Sequence, residues 1–157
     1  MEIIYREKIP TYAFISGILL VSCLIFLVIL ISGFIGRQLL QDAIAKIVVV
    51  IVFLLNLLVL VSFRELSIEV DAEFFKFGFG KFSKRIPLNL IESVEIGEYK
   101  FLNYLGYGIR YGRDKTLAYA PRGGQGLKIK IKNKPTAYFI STAKAEELKQ
   151  VIASHKR

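Results

Sequence analysis

The chain has 157 residues, a formal net charge of +9 and a hydrophobic fraction of 54%, with one cysteine, one histidine and no tryptophan. A single cysteine excludes an intrachain disulfide and a Cys-rich zinc centre, and with one histidine beside it no redox or metal chemistry is expected. Leu, Ile and Val crowd the first 63 residues, whereas eighteen Lys and Arg against ten Asp and Glu lie from Arg64 to Arg157, where there is room for one modest core.

Residues 1–8 carry Glu2, Arg6, Glu7 and Lys8 around Ile3, Ile4 and Tyr5 and read as a juxtamembrane flank, with Tyr5 and Tyr12 as interface anchors. Two uncharged runs follow, Ile9 to Gly36 and Ile47 to Phe63. At roughly 1.5 Å per residue the first exceeds the about 30 Å of bilayer hydrocarbon, and the second reaches it if Ala43 to Ala45 join and Lys46 snorkels. The first run is too long for a signal peptide and ends without an A-x-A cleavage site. The expectation is a transmembrane helical hairpin over 9–63, with helices at about 9–36 and 43–63.

The short turn from Arg37 to Lys46 makes the helices antiparallel, so both chain ends share a compartment. Arg6, Lys8, Arg64, Lys76, Lys81, Lys84 and Arg85 outnumber Arg37 and Lys46, which puts both termini on the cytoplasmic side of a multi-pass protein of the inner cell membrane. Asn56 lies near the middle of the second run, where an unpartnered amide is costly. The opposite midpoint is near Ser22, so Asn56 is expected to bond Ser22 or the backbone around it, or to face another copy. No other polar cluster in the runs suggests transport.

After Phe63 the period becomes alternating. Leu66, Ile68 and Val70 read as a half-buried strand, and Phe75, Phe77 and Phe79 with Phe82 and Ile86 as a hairpin turning near Gly78 to Gly80. Pro87 ends that strand, 88–91 reads as a helical turn, and Val94 with Ile96 begins the next strand. The stretch from Tyr99 to Gly112 alternates Tyr with Gly, as in bulges and tight turns. Thr116 to Ala120, Leu127 to Ile131 and Ala137 to Ile140 are strands separated by Gly- and Pro-containing turns. Thr142 caps a C-terminal amphipathic helix at about 142–155, whose buried stripe is Leu148, Val151 and Ile152. The sum over 64–157 is an antiparallel β-barrel of about seven strands capped by that helix.

Gly106-Tyr107-Gly108-Ile109-Arg110, then Gly126-Leu127-Lys128-Ile129, and Ile140-Ser141-Thr142 leading to Leu148 resemble the bacterial pleckstrin-homology-like membrane proteins over Leu66 to Ile152. Those proteins carry Trp where this chain has Tyr107. The resemblance implies a seven-strand barrel with a capping helix behind hydrophobic helices. It implies no ligand, because the function of the bacterial members is largely undefined and no phosphoinositide head-group motif matches.

Catalytic, cofactor and metal sites are not expected. His155 lies two residues from the end with no Cys or Ser partner, Gly78 to Ser83 lacks phosphate-loop spacing, and Glu92, Glu95 and Glu98 fall in an alternating segment. Nucleic acid is not an expected partner, since alternation sends the phenylalanines to the core and the lysines outward. The expected function is a non-enzymatic, membrane-anchored interaction module contacting anionic lipid or a partner protein through Lys81, Lys84, Arg85 and Arg110. The alternative is an assembly subunit of a membrane complex, or a homo-oligomer, joined through the helices at Asn56 and small residues.

Overall fold

The computed structural model describes residues 3–11, 13–35 and 43–156, with the side chains of the two long helices described over 17–33 and 46–62. The chain divides into two compact units, Tyr12–Arg64 on one hand and Met1–Thr11 with Glu65–Arg157 on the other.

The first unit is a pair of helices, α1 (Ala13–Ile35) and α2 (Ala43–Ser62), rich in Leu, Ile and Val and free of proline. Asn56 Nδ2 donates to Ser22 Oγ at 2.9 Å and Asn56 Oδ1 accepts from Cys23 Sγ at 3.2 Å, so the amide is satisfied between the two helices. Among the described residues no helix is long and apolar enough to cross a membrane. The transmembrane hairpin over 9–63, the multi-pass placement in the inner membrane and the cytoplasmic assignment of the termini are corrected accordingly. The first uncharged run overstates its helix at the start, where Ile9 and Pro10 belong to a strand and pair with Leu66 and Glu65; Gly36 lies outside the described residues. Tyr12 and most of the expected turn, residues 37–42, also lie outside the described residues.

The second unit holds two sheets. The first is a meander of β1 (Ile3–Pro10), β2 (Glu65–Asp71), β3 (Phe74–Phe79) and β4 (Phe82–Pro87), each antiparallel to the next. A 3-10 turn at Leu88–Leu90 leads to the second sheet. That sheet contains β5 (Ile91–Glu98), β6 (Gly108–Tyr111), β7 (Thr116–Ala120), β8 (Gln125–Ile131) and β9 (Ala137–Ser141), in the order β5-β8-β9-β7-β6. The single turn α3 (Phe101–Tyr104) interrupts the path from β5 to β6, and α4 (Ala145–His155) closes the chain.

Nine strands in two sheets, with no closed barrel among the described residues, replace the expected seven-strand antiparallel barrel. Two strands account for most of the difference. Ile3 to Pro10, read as a flank, pairs along β2, and β7 runs parallel to β9. Parallel neighbours need a long crossover, here the whole of β8, and nothing in either strand's own pattern announces it.

Alternation along each strand builds the core. Leu66, Ile68 and Val70 of β2, Phe75, Phe77 and Phe79 of β3, and Leu127 and Ile129 of β8 are fully buried, with Leu148 and Ile152 of α4 packed among them. Phe77 joins the sheets, its ring 5.0 Å from Tyr119 and 5.6 Å from Tyr138 in edge-on geometry. Each such side chain contributes about 1.5–3 kcal/mol by burial alone. Thr142 is not the N-cap of α4: its hydroxyl accepts from Lys144 N at 3.0 Å, turning the chain before the helix begins at Ala145.

Candidate functional site

Leu127, Ile129 and Ile131 turn to the main core, so Gly126, Lys128 and Lys130 lie on the other face of the second sheet. Strand register carries that outer face across the sheet. Gly126 is opposite Gly97 and Ser141, Lys128 opposite Phe139, Phe139 opposite Ala118, and Ala118 opposite Arg110. The small residues leave a hollow, and the Phe139 ring fills it: a Cβ on Gly126 would stand 2.6 Å from Phe139 Cζ. Tyr99 lies 5.7 Å from that ring and stacks in turn on Tyr104 at 4.8 Å and Tyr107 at 5.6 Å between centroids. Together with Ala118 and Ala120 these rings form a second, smaller core beneath the Tyr- and Gly-rich stretch.

The Gly106–Arg110 motif is the rim of that core. Gly108 has φ 94, a left-handed backbone that L side chains rarely adopt, and this turns the chain from α3 into β6. The Tyr99 hydroxyl donates to the Gly106 carbonyl, and Tyr107 and Ile109 are half-buried. Burial, followed by the neighbouring phenols of Tyr104 and Tyr107, pushes Tyr99 up to about 12, so it stays a donor at neutral pH. Arg110 Nε donates to the Tyr107 carbonyl at 3.2 Å, and its guanidinium is exposed with no ion pair among the described residues.

Asp114 fastens the segment, and its ion-pair partner is Lys128 rather than Arg110. Its Oδ1 accepts from Asn103 Nδ2 at 2.9 Å and Thr116 N at 3.2 Å, and its Oδ2 from Lys128 Nζ at 3.1 Å. The carboxylate therefore joins α3, the β6–β7 turn and β8. Burial raises its pKa, but the bonds from Asn103, Lys128 and Thr116 with the Lys128 charge outweigh burial and hold it at about 2. A folded-state value below the unfolded one of about 3.9 adds stability above pH 4 that is lost as pH falls toward 2. Asp114→Asn is thus expected to flatten the thermal-stability profile between about pH 4 and pH 2, by less than about 1 kcal/mol because the group is partly solvated. Identical slopes in the two proteins would refute this role.

The sequence-predicted cations Lys81, Lys84 and Arg85 come together on β4 and its turn, but they differ in kind. Arg85 Nη2 sits 3.4 Å from Asp71 Oδ2 and its guanidinium carbon lies 3.8 Å over the Phe74 ring, so it is engaged in the fold. Lys81 and Lys84 are exposed and form no ion pair among the described residues, and Phe82 between them is 48% exposed. The other cations on the first sheet are paired: Arg6 and Lys76 with Glu69 at 3.2 and 3.3 Å, Lys8 with Glu65 at 2.6 Å. The β3–β4 turn is thus the part of this sheet where positive charge is not balanced. It is not joined to Arg110, which belongs to the other sheet.

His155 Nδ1 lies 3.0 Å from the Val151 carbonyl in the last turn of α4. Among the described residues no group of three His, Cys, Asp or Glu could hold a metal ion. No family model, curated protein or solved structure matches the chain.

Proposed function

We propose that the chain is a non-enzymatic interaction module whose β3–β4 turn docks on an anionic lipid surface. The supporting observation is the charge imbalance at that turn, where Lys81 and Lys84 form no ion pair among the described residues and flank a half-exposed aromatic ring. A cation near an anionic leaflet contributes about 1 kcal/mol, so the pair contributes about 2 kcal/mol of weak, salt-sensitive attraction. Phe82 adds apolar contact at headgroup depth. Membership of the pleckstrin-homology-like proteins is part of this proposal and is carried by the Gly106–Arg110 motif rather than by strand order. The assembly reading has less support from Asn56, whose amide is already bonded to Ser22 and Cys23 within the chain.

A second reading comes from the position of β4 at the edge of its sheet. Lysines on an edge strand discourage pairing with another sheet, and Lys81 and Lys84 suit that purpose as well. Full-length chain is titrated with phosphatidylserine-containing and pure phosphatidylcholine vesicles, and the ratio of the two affinities is compared with that of Lys81→Gln/Lys84→Gln. The ratio is expected to fall about 30-fold in the variant, the equivalent of two surface cations. An unchanged ratio overturns the lipid reading, and an unchanged ratio with new self-association identifies edge protection instead.

A further inference from the structure

α3 and the residue after it display three large apolar side chains: Leu102 is 78% exposed, Leu105 63% and Phe101 49%. The display is not a slack loop. Tyr104 beneath it is buried in the aromatic core, Asn103 bonds Asp114 and receives Arg113 N at 2.9 Å, and Leu105 N returns to the Phe101 carbonyl at 2.7 Å. Leu105 also closes the turn at φ 53 and ψ 43, the left-handed geometry that glycine or asparagine adopts without strain. A leucine there is both strained and wet, and neither condition helps the isolated fold. Its side chain is suited to something outside the chain.

The surroundings identify that something. Lys100 precedes the turn, the Arg110 side chain lies against Gly106, and Arg113 is held beside Asn103. All three are exposed and make no ion pair among the described residues, while the nearby Asp114 is taken up by Lys128. An exposed apolar turn with three cations close to it along the chain and in the fold complements a bilayer interface, where leucine and phenylalanine enter the acyl boundary and the cations meet phosphate.

We propose that α3 is an interfacial anchor, inserting Leu102 and Leu105 into an anionic bilayer with Lys100, Arg110 and Arg113 on the headgroups. This rests on the reading of anionic lipid as the partner, but it concerns a different surface from the β3–β4 turn. The absence of tryptophan makes a clean probe available. In full-length Leu102→Trp, adding phosphatidylserine-containing vesicles shifts the emission to the blue and lipid-borne bromine quenches it. Leu105→Gly separates docking from folding, because glycine relieves the left-handed strain: its unfolding midpoint is expected to stay level or rise while vesicle affinity drops about tenfold.

Emission that does not move, from protein that sediments with the vesicles, overturns the anchor and leaves the Lys81–Lys84 reading standing. Absence of any preference for anionic vesicles in the parent chain overturns both. An equal shift with neutral vesicles removes the cations from the mechanism and overturns the anchor as stated. A shift that follows protein concentration without lipid assigns the tip to a second copy instead.

Discussion

Gly126→Ala is expected to lower the unfolding midpoint by about 15 °C, which corresponds to about 3 kcal/mol for a domain of this size. The new methyl would overlap the Ile140 carbonyl oxygen and stand 2.6 Å from Phe139 Cζ. The first atom belongs to the neighbouring backbone and moves only if β8 and β9 part; the second belongs to the ring on which Tyr99 and Tyr104 rest. Overpacking of this kind costs typically about 1–3 kcal/mol, and the upper end applies because neither obstacle is a flexible side-chain tip. Phe139→Leu in the same chain is expected to recover part of the loss, so the two changes are coupled rather than additive. A Gly126→Ala protein as stable as its parent would mean that the aromatic core does not seat on this strand as described.

The second large effect is at Glu7. Its Oε2 accepts from the Tyr5 hydroxyl at 2.8 Å and from Thr142 Oγ1 at 2.5 Å, and its Oε1 accepts from Ala143 N at 3.0 Å. One carboxylate thereby ties β1 to the turn that starts α4. Burial and then the Glu7 carboxylate push the Tyr5 phenol upward, so it remains a donor throughout the neutral range. Glu7→Ala leaves two buried hydroxyls, of Tyr5 and Thr142, and the Ala143 backbone N–H without this acceptor. Hydrogen bonds to a charged group are worth about 1.5–3 kcal/mol each, and with partial solvation a loss of about 3 kcal/mol is expected. Hydrogen exchange reads it directly: amides of residues 3–9 should lose protection before those of 127–131, and Glu7→Gln should retain part of it. Equal protection of β1 in Glu7→Ala and the parent would show that strand pairing alone holds it.

Glu7 also shows where reading the sequence stops. Tyr5, Glu7 and Ile9 alternate correctly for a strand, but a carboxylate at the core-facing position and the long uncharged run just after it disguise β1 as a flank. The residue that explains it, Thr142, is 135 positions away. The bonding of Asp114 was not legible for a similar reason: its turn is local, but Asn103 and Lys128 come from two other elements. The Tyr- and Gly-rich stretch was legible as an irregular segment but not as the lid of a second core, since the hollow beneath it belongs to β5, β7 and β8. The cations were legible as a cluster, yet their sequence proximity hid that Arg85 is engaged by Asp71 and Phe74 while Lys81 and Lys84 are not. Asn56 stands opposite Ser22, a contact legible in the sequence because it depends on the lengths of two neighbouring helices.

The amino-acid order by itself determined most of the strands after Phe63 and which residues on them turn inward, as at Leu66, Ile68 and Val70 or Leu127, Ile129 and Ile131, because side-chain alternation is a property of consecutive residues. It determined the amphipathic α4 for the same reason. Only the tertiary structure decided that β1 joins β2, that β7 runs parallel to β9 and that two sheets form instead of a closed barrel. Pairing of that kind is chosen by burial and hydrogen bonding between residues far apart in the chain, and a local pattern satisfies several such arrangements equally well.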